Sequence, residues 1–333
     1  MRLDAPMGRA LLALAAGVLA WPARADIDVV LRSGFDPLQL CDPVATPSTC
    51  PGFRVQTPAL NVPAGEIQTF CYYFRGGNAA SFGVRRWATT SGANVLYVLV
   101  YRAVDNTGAP VERQPPGTLV VGCGPASGTG QPSWHHAAYA PTSEIVMPDD
   151  DGNGVPLGME LPPDVPMVMQ VRVLNPTDGP ISTSASVLAE GYPPGTNYVR
   201  TASYFTMNIS FQIPAQSVQF TVSRSCAAPA NSRFWAFTTR THKLGVLARV
   251  RRGTQDLVAS NDWIAPRTTR LAAPNVVEFT AGAMYTYECI YSNPNPFTVS
   301  FGESEDSDEQ CIGVGMYYPA ARPLICINNV GPL

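Results

Sequence analysis

Apolar residues along this chain alternate or run in short blocks, and no window after residue 25 sustains an i, i+3, i+4 apolar stripe. Tyr97-Val98-Leu99-Val100-Tyr101, Met167 to Val173 and Val218-Gln219-Phe220-Thr221-Val222 are rich in β-branched, aromatic and other apolar residues, which predicts strands. Phe234 to Thr239 and Gly245 to Val250 predict a further pair. Many short strands separated by Pro and Gly turns point to sandwiches or jelly rolls. The stretch Glu190-Gly191-Tyr192-Pro193-Pro194-Gly195 is the best linker candidate and divides the chain into an N-terminal half, 26–195, and a C-terminal half, 196–333.

Composition sharpens this picture. With 28 Gly and 32 Pro in 333 residues, long helices are broken everywhere, which excludes a helical bundle or coiled coil. A hydrophobic fraction of 45% against 14% charged residues excludes a disordered chain. Only Lys243 among the 22 basic side chains is a lysine, and no basic run is longer than a pair, so no nucleic-acid partner is expected.

The first 25 residues read as an address. Arg2 and Arg9 precede an apolar stretch from Ala10 to Trp21, followed by Ala23-Arg24-Ala25, the pattern of a secretory signal peptide (1–25) cut before Asp26. No later segment has the length of a spanning helix, so no membrane span is expected. A secreted or periplasmic location follows. Removal of Arg2, Arg9, Arg24 and Asp4 leaves the mature chain more acidic than the formal charge of −3 of the whole. All eight Cys lie beyond the cut, an even number that suits disulfides in an exported chain. Spacing alone leaves 105 pairings open.

Two segments offer chemistry. Asp149, Asp151, Asn153 and Glu160 occupy positions 1, 3, 5 and 12 of a calcium-loop pattern with Gly154 at position 6, although no flanking helices are expected, Pro156 takes a position usually β-branched, and a plain acidic turn is the simpler reading. The run Glu303-Ser304-Glu305-Asp306-Ser307-Asp308-Glu309 packs five carboxylates into seven residues. A solvated loop is its simplest reading; a cation site or an ionic partner for Arg240 is the sharper one.

The stretch Phe234-Trp235-Ala236-Phe237-Thr238-Thr239-Arg240-Thr241-His242-Lys243-Leu244-Gly245 resembles the copper-ligand strand of the type II copper, ascorbate-dependent monooxygenases, the peptidylglycine α-hydroxylating and dopamine β-monooxygenases. Ser307 to Cys311 with Met316-Tyr317-Tyr318, Gly154 to Gly158, and Met169 to Arg172 resemble further segments of that family. The resemblance implies two disulfide-linked tandem jelly-roll domains across a cleft, one copper in each, and bridges Cys71–Cys123, Cys226–Cys326 and Cys289–Cys311, with Cys41–Cys50 left over. It also implies that the copper ligands are mostly replaced. Arg240, His242 and Gln310 stand where the family has His, His and Met, Arg172 stands for a first-domain His, and the family's His-His pair falls near Asn94-Val95. Thr238, Ile312 and Val314 replace the family's peptide-carboxylate contacts.

Copper is held by imidazole and thioether donors, whereas a guanidinium stays protonated and repels a metal cation. The expectation is therefore a non-catalytic binding or structural module of that fold, in which Arg172 and Arg240 face an anionic group of an unidentified small molecule, peptide or protein. The alternative is a rearranged copper monooxygenase using His135, His136 and His242. For His135 and His136 the plain reading is an exposed or edge-strand pair, since neighbours on a strand point to opposite faces.

Overall fold

A computed structural model describes residues 51–124 and 130–331, so the signal segment and the Cys41–Cys50 pairing lie outside the described residues. Those residues form strands, turns and loops with no helix, and none of their segments is a helix long and apolar enough to cross a membrane.

The predicted strands fall inside longer ones: Val95–Val104, Pro166–Leu174, Ser217–Ala227, Ser232–Arg240 and Gly245–Arg252. In the N-terminal half, Pro166–Leu174 lies antiparallel between Ile67–Arg75 and Val95–Val104 at the centre of a six-stranded sheet. Its residues alternate between two faces. Met167, Met169, Val171 and Val173 pack with Val84, Trp87, Leu157 and Val187 of a second sheet. Each such fully buried side chain contributes about 1.5–3 kcal/mol of transfer free energy. Val168 falls on the opposite face, beside the Cys71–Cys123 bridge and Tyr101, and the same alternation places Gln170 and Arg172 there.

The second sheet runs through both halves. Strand Leu157–Leu161 pairs in parallel with Val199–Asn208, whose other neighbour, Cys311–Tyr318, pairs with Ser232–Arg240. One eleven-stranded sheet thus joins strands from both sides of the 190–195 stretch. That stretch is itself anchored, for Glu190 is buried and takes ion pairs from Arg85 and Arg86. In the C-terminal half the sheet packs on a four-stranded sheet across an aromatic core that includes Tyr204, Phe234, Phe237, Tyr285 and Tyr291. Cys226–Cys326 and Cys289–Cys311 close within this half and Cys71–Cys123 within the other, so no described bridge joins the two halves.

Candidate functional site

Arg240 is the last residue of its strand, and the chain turns at once through Thr241 to Leu244. The turn is held from outside. Both carboxylate oxygens of buried Glu309 accept backbone N–H groups, from His242 (2.9 Å) and Leu244 (2.6 Å). Gly245 closes the turn where a Cβ would lie 2.2 Å from Thr241 Oγ1, so only glycine passes. Burial pushes the Glu309 carboxyl up to about 7, against those N–H contacts, which pull it down.

The acidic run 303–309, tethered at its end by the Cys289–Cys311 bridge, reaches the outer face of the six-stranded sheet of the other half. Glu305 is buried there between two arginines. One carboxylate oxygen pairs with Arg172 Nε, and the other with Arg240 Nη2. Tyr97, opposite Arg172 in the ladder, donates its hydroxyl to Glu305 and accepts from Arg240 Nη2 at 2.8 Å. The Arg240 guanidinium carbon stands 4.7 Å from the Tyr97 ring centre, and Arg172 Nη1 donates to Thr69 Oγ1 at 2.8 Å. At the next position Asp306, 68% exposed, approaches Arg172 Nη2 at 3.7 Å.

Electrostatics follow from this packing. Burial alone would lower Arg240, but Tyr97, Glu305 and Tyr139 hold it above its ordinary value. Burial alone would raise Glu305, but Arg240, His242 and Arg172 hold it below. The carboxylate is thus ionised and shared by two guanidiniums. Tyr97 is pushed up by burial first and stays a neutral donor.

The remaining ligand positions are engaged as well. Gln310 Oε1 accepts from Arg240 Nε (3.3 Å) and its Nε2 donates to the Gly302 carbonyl (3.2 Å). His242 Nδ1 lies 2.9 Å from the Asp308 carbonyl, which can only accept, so Nδ1 carries the proton and Nε2 is a bare, buried nitrogen without a partner. Burial and then Arg240 push this imidazole down to about 4, so it is neutral at pH 7. Asn94 sits in a turn with φ of 67° and Val95 opens a strand, so neither supplies an imidazole. Thr238 Oγ1 donates to the Arg267 carbonyl (3.2 Å), while Ile312 and Val314 are core residues. This donor set does not fit copper: one free imidazole nitrogen faces two protonated guanidiniums, and the amide oxygen is already bonded.

His135 and His136 do not join His242. His136 Nε2 bonds Thr89 Oγ1 (2.8 Å) and its ring stacks on Trp87, while His135 Nδ1 meets Met159 Sδ at 2.8 Å. Their strand, Gln131–Ala138, pairs among the described residues only with Val95–Val104 and so lies at a sheet edge as expected, but both side chains are buried rather than exposed. Among the described residues no group of three or more His, Cys, Asp or Glu side chains is placed to hold a metal.

The calcium pattern resolves into a self-capped turn. Asp151 Oδ1 accepts from the N–H groups of Asn153 (2.8 Å) and Val155 (3.2 Å), and its Oδ2 from Asn153 Nδ2 (3.2 Å). Asp150, the residue after Asp149, caps Gly152 and Gly154. Glu160, on strand Leu157–Leu161, pairs instead with Arg200 at 2.6 Å. The oxygens are spent on nearby amides and an arginine rather than gathered on one point.

Tyr97, Thr69 and the separate duties of Glu305 and Glu309 were not singled out by sequence reasoning. Only the position of Tyr97 at the start of an apolar strand, and the charge run itself, marked them.

Comparison with known proteins gives three results. No curated protein sequence matches the chain. Among solved structures, the major capsid protein P2 from bacteriophage PM2 is similar at 8% identity and a TM-score of 0.32, covering 80% of this chain and 97% of that one. Peptide N-glycanase F is similar at 8% identity and a TM-score of 0.33, covering 82% and 97%. The family model for the copper type II ascorbate-dependent monooxygenase C-terminal domain matches residues 201–332, the segment that supplies Arg240, His242, Glu305 and Gln310. Over residues 201–332 the chain is thus similar to the C-terminal domain of the copper type II ascorbate-dependent monooxygenases.

Proposed function

We propose that this protein is an exported, non-catalytic member of the family, a structural or binding module whose copper positions have become an ionic lock. The observation that carries the reading is Glu305 bridging Arg172 and Arg240, the residues that the resemblance aligns with ligand positions in the two halves. The anionic group expected for those arginines is supplied by the chain itself. A carboxylate held by two forked, permanently charged side chains is a strong, oriented contact. It fills the place where a metal and an open coordination site would have to be. His242 keeps a lone pair but has no companion donors, so it positions the turn rather than a reaction. Export is supported by the signal pattern and by three disulfides.

The test is elemental analysis after exposure to copper and ascorbate followed by gel filtration, together with ascorbate consumption. Copper well below one per chain and no copper-dependent ascorbate oxidation are expected. One or two copper ions per chain, removed by His242→Ala, would overturn the reading.

A further inference from the structure

A third buried arginine has no such partner among the described residues. Arg102 lies on strand Val95–Val104 at the opposite end from Tyr97, five residues or roughly 16 Å along the strand, so its site is separate from the lock. It is 4% exposed, and its Nε and Nη1 are buried without a hydrogen-bond partner. Among the described residues no carboxylate pairs with it. Burial pushes its guanidinium down to about 10, with no neighbouring charge to offset that. An isolated buried cation is costly, and a fold keeps one when something else supplies the opposite charge.

Arg102 lines a cavity of about 170 Å³ between the two halves. Arg200, Ser203 and Arg322 line it from the C-terminal side, and His135 and Glu160 from the other. The one carboxylate, Glu160, is already paired with Arg200. Arg322 donates to the Asn106 carbonyl (3.0 Å) and pairs with no carboxylate among the described residues, so the wall carries excess positive charge. Ser203 Oγ shares a 3.3 Å hydrogen bond with Ser133, leaving further hydroxyl capacity. His135 adds a second unpartnered atom. Its Nδ1 contacts the Met159 sulfur, an acceptor only, so Nδ1 is the protonated nitrogen and Nε2 is a buried acceptor with nothing donating to it. The cavity has room for a small oxyanion.

We propose that this cavity binds a phosphate group, with anionic oxygens on the Arg102 fork and a protonated oxygen on His135 Nε2. Phosphate suits both atoms at neutral pH because it carries acceptor oxygens and, with a second pKa near 7, an O–H as well. Arg200 and Arg322 at the mouth draw the anion in. The site is independent of the copper reading and stands or falls without it.

The experiment is calorimetric titration and thermal melting of the mature protein with inorganic phosphate, with glycerol phosphate for a phosphate borne on a small molecule, and with chloride at matched ionic strength. One saturable site per chain and a rise in Tm that follows occupancy are expected for phosphate, with no comparable rise in chloride. If glycerol phosphate binds as well, the ligand is a phosphomonoester; if phosphate alone binds, it is the free ion. Arg102→Met should lose at least tenfold in affinity, while melting no lower than the unsubstituted protein when phosphate is absent. Arg102→Lys, which keeps charge but not the fork, should lose affinity severalfold. Absence of saturable binding to both probes at millimolar concentration would overturn the proposal without touching the copper reading. So would Arg102→Met binding as tightly as the unsubstituted chain.

Discussion

Arg240 and Arg102 are almost equally buried, 2% and 4% exposed, and lie under opposite electrostatics. Arg240 has Glu305, the Tyr97 hydroxyl and ring, and the Gln310 amide around it, and its guanidinium is held above its ordinary value. Arg102 has no carboxylate partner among the described residues and is held below. Depth of burial therefore says little about what an arginine does. A paired one fastens structure, while an unpaired one marks a place where a partner belongs.

The largest expected effect tests the fastened side. Glu305→Gln leaves buried Arg240 without its carboxylate and Arg172 with only Asp306 at the rim, and breaking a buried pair in this way costs about 3–5 kcal/mol. Urea unfolding should show it as a lowered midpoint. Replacing all three members together, Arg172→Met, Glu305→Leu and Arg240→Met, should restore most of that loss, because apolar residues of similar size need no partner. A Glu305→Gln variant as stable as the original would mean that the lock adds nothing to the joint between the halves.

The lock also divides what the sequence could show from what it could not. Strand positions were legible because apolar runs such as Met167 to Val173 are local signals. The likeness of 234–245 and 307–318 to the family was legible too, and the family model covers both segments. That Glu305 faces inward while its neighbour Asp306 faces out was not, since both belong to one acidic run. Which acid is buried depends on a sheet more than a hundred residues earlier in the chain. Arg102 left a trace that went unread: it shares parity with Val98, Val100 and Val104, the inward positions of its strand, and a charge at such a position is a flag. His135-His136 misled because neighbours on a regular strand point to opposite faces, whereas a register shift in the pairing with Val95–Val104 falls at His135, and both rings reach the same second sheet, at Met159 and Thr89.

Acid separates the lock from the core. Glu305 lies below the ordinary carboxyl range, so its contribution is present above about pH 4.5 and is lost only below that. His136 behaves differently. Burial, and then Arg270, pushes its imidazole down to about 3 from 6.5, so the folded state binds fewer protons than the unfolded one between those values. Stability from this group is full above pH 6.5 and falls as pH drops towards 3, by about 1.4 kcal/mol per pH unit. His135 and His242 add slopes of the same sign. Glu309, raised to about 7, opposes them between roughly pH 4.5 and 7, but one group is outnumbered by three. The protein should therefore lose stability from pH 6.5 to 4.5 while the lock is still ionised. His136→Gln, which can keep a bond to Thr89, should flatten the curve by about one proton. An unchanged slope in urea unfolding across that range would place the acid sensitivity elsewhere.

The smallest effect is the sharpest control. Asp306 follows Glu305 directly, carries the same charge and touches the same Arg172, yet it is 68% exposed and 3.7 Å away. Water screens such a rim pair, and exposed ion pairs contribute about 0–1 kcal/mol. Asp306→Asn should thus move the urea midpoint by less than a quarter of the Glu305→Gln shift, and that small effect should fade as salt is added. If the two substitutions cost the same, Arg172 responds to the charge of the whole 303–309 run rather than to one seated carboxylate. The contrast between a fastened and an unfastened arginine would then be one of general field, and Arg102 would differ from Arg240 only in its distance from the acidic loop.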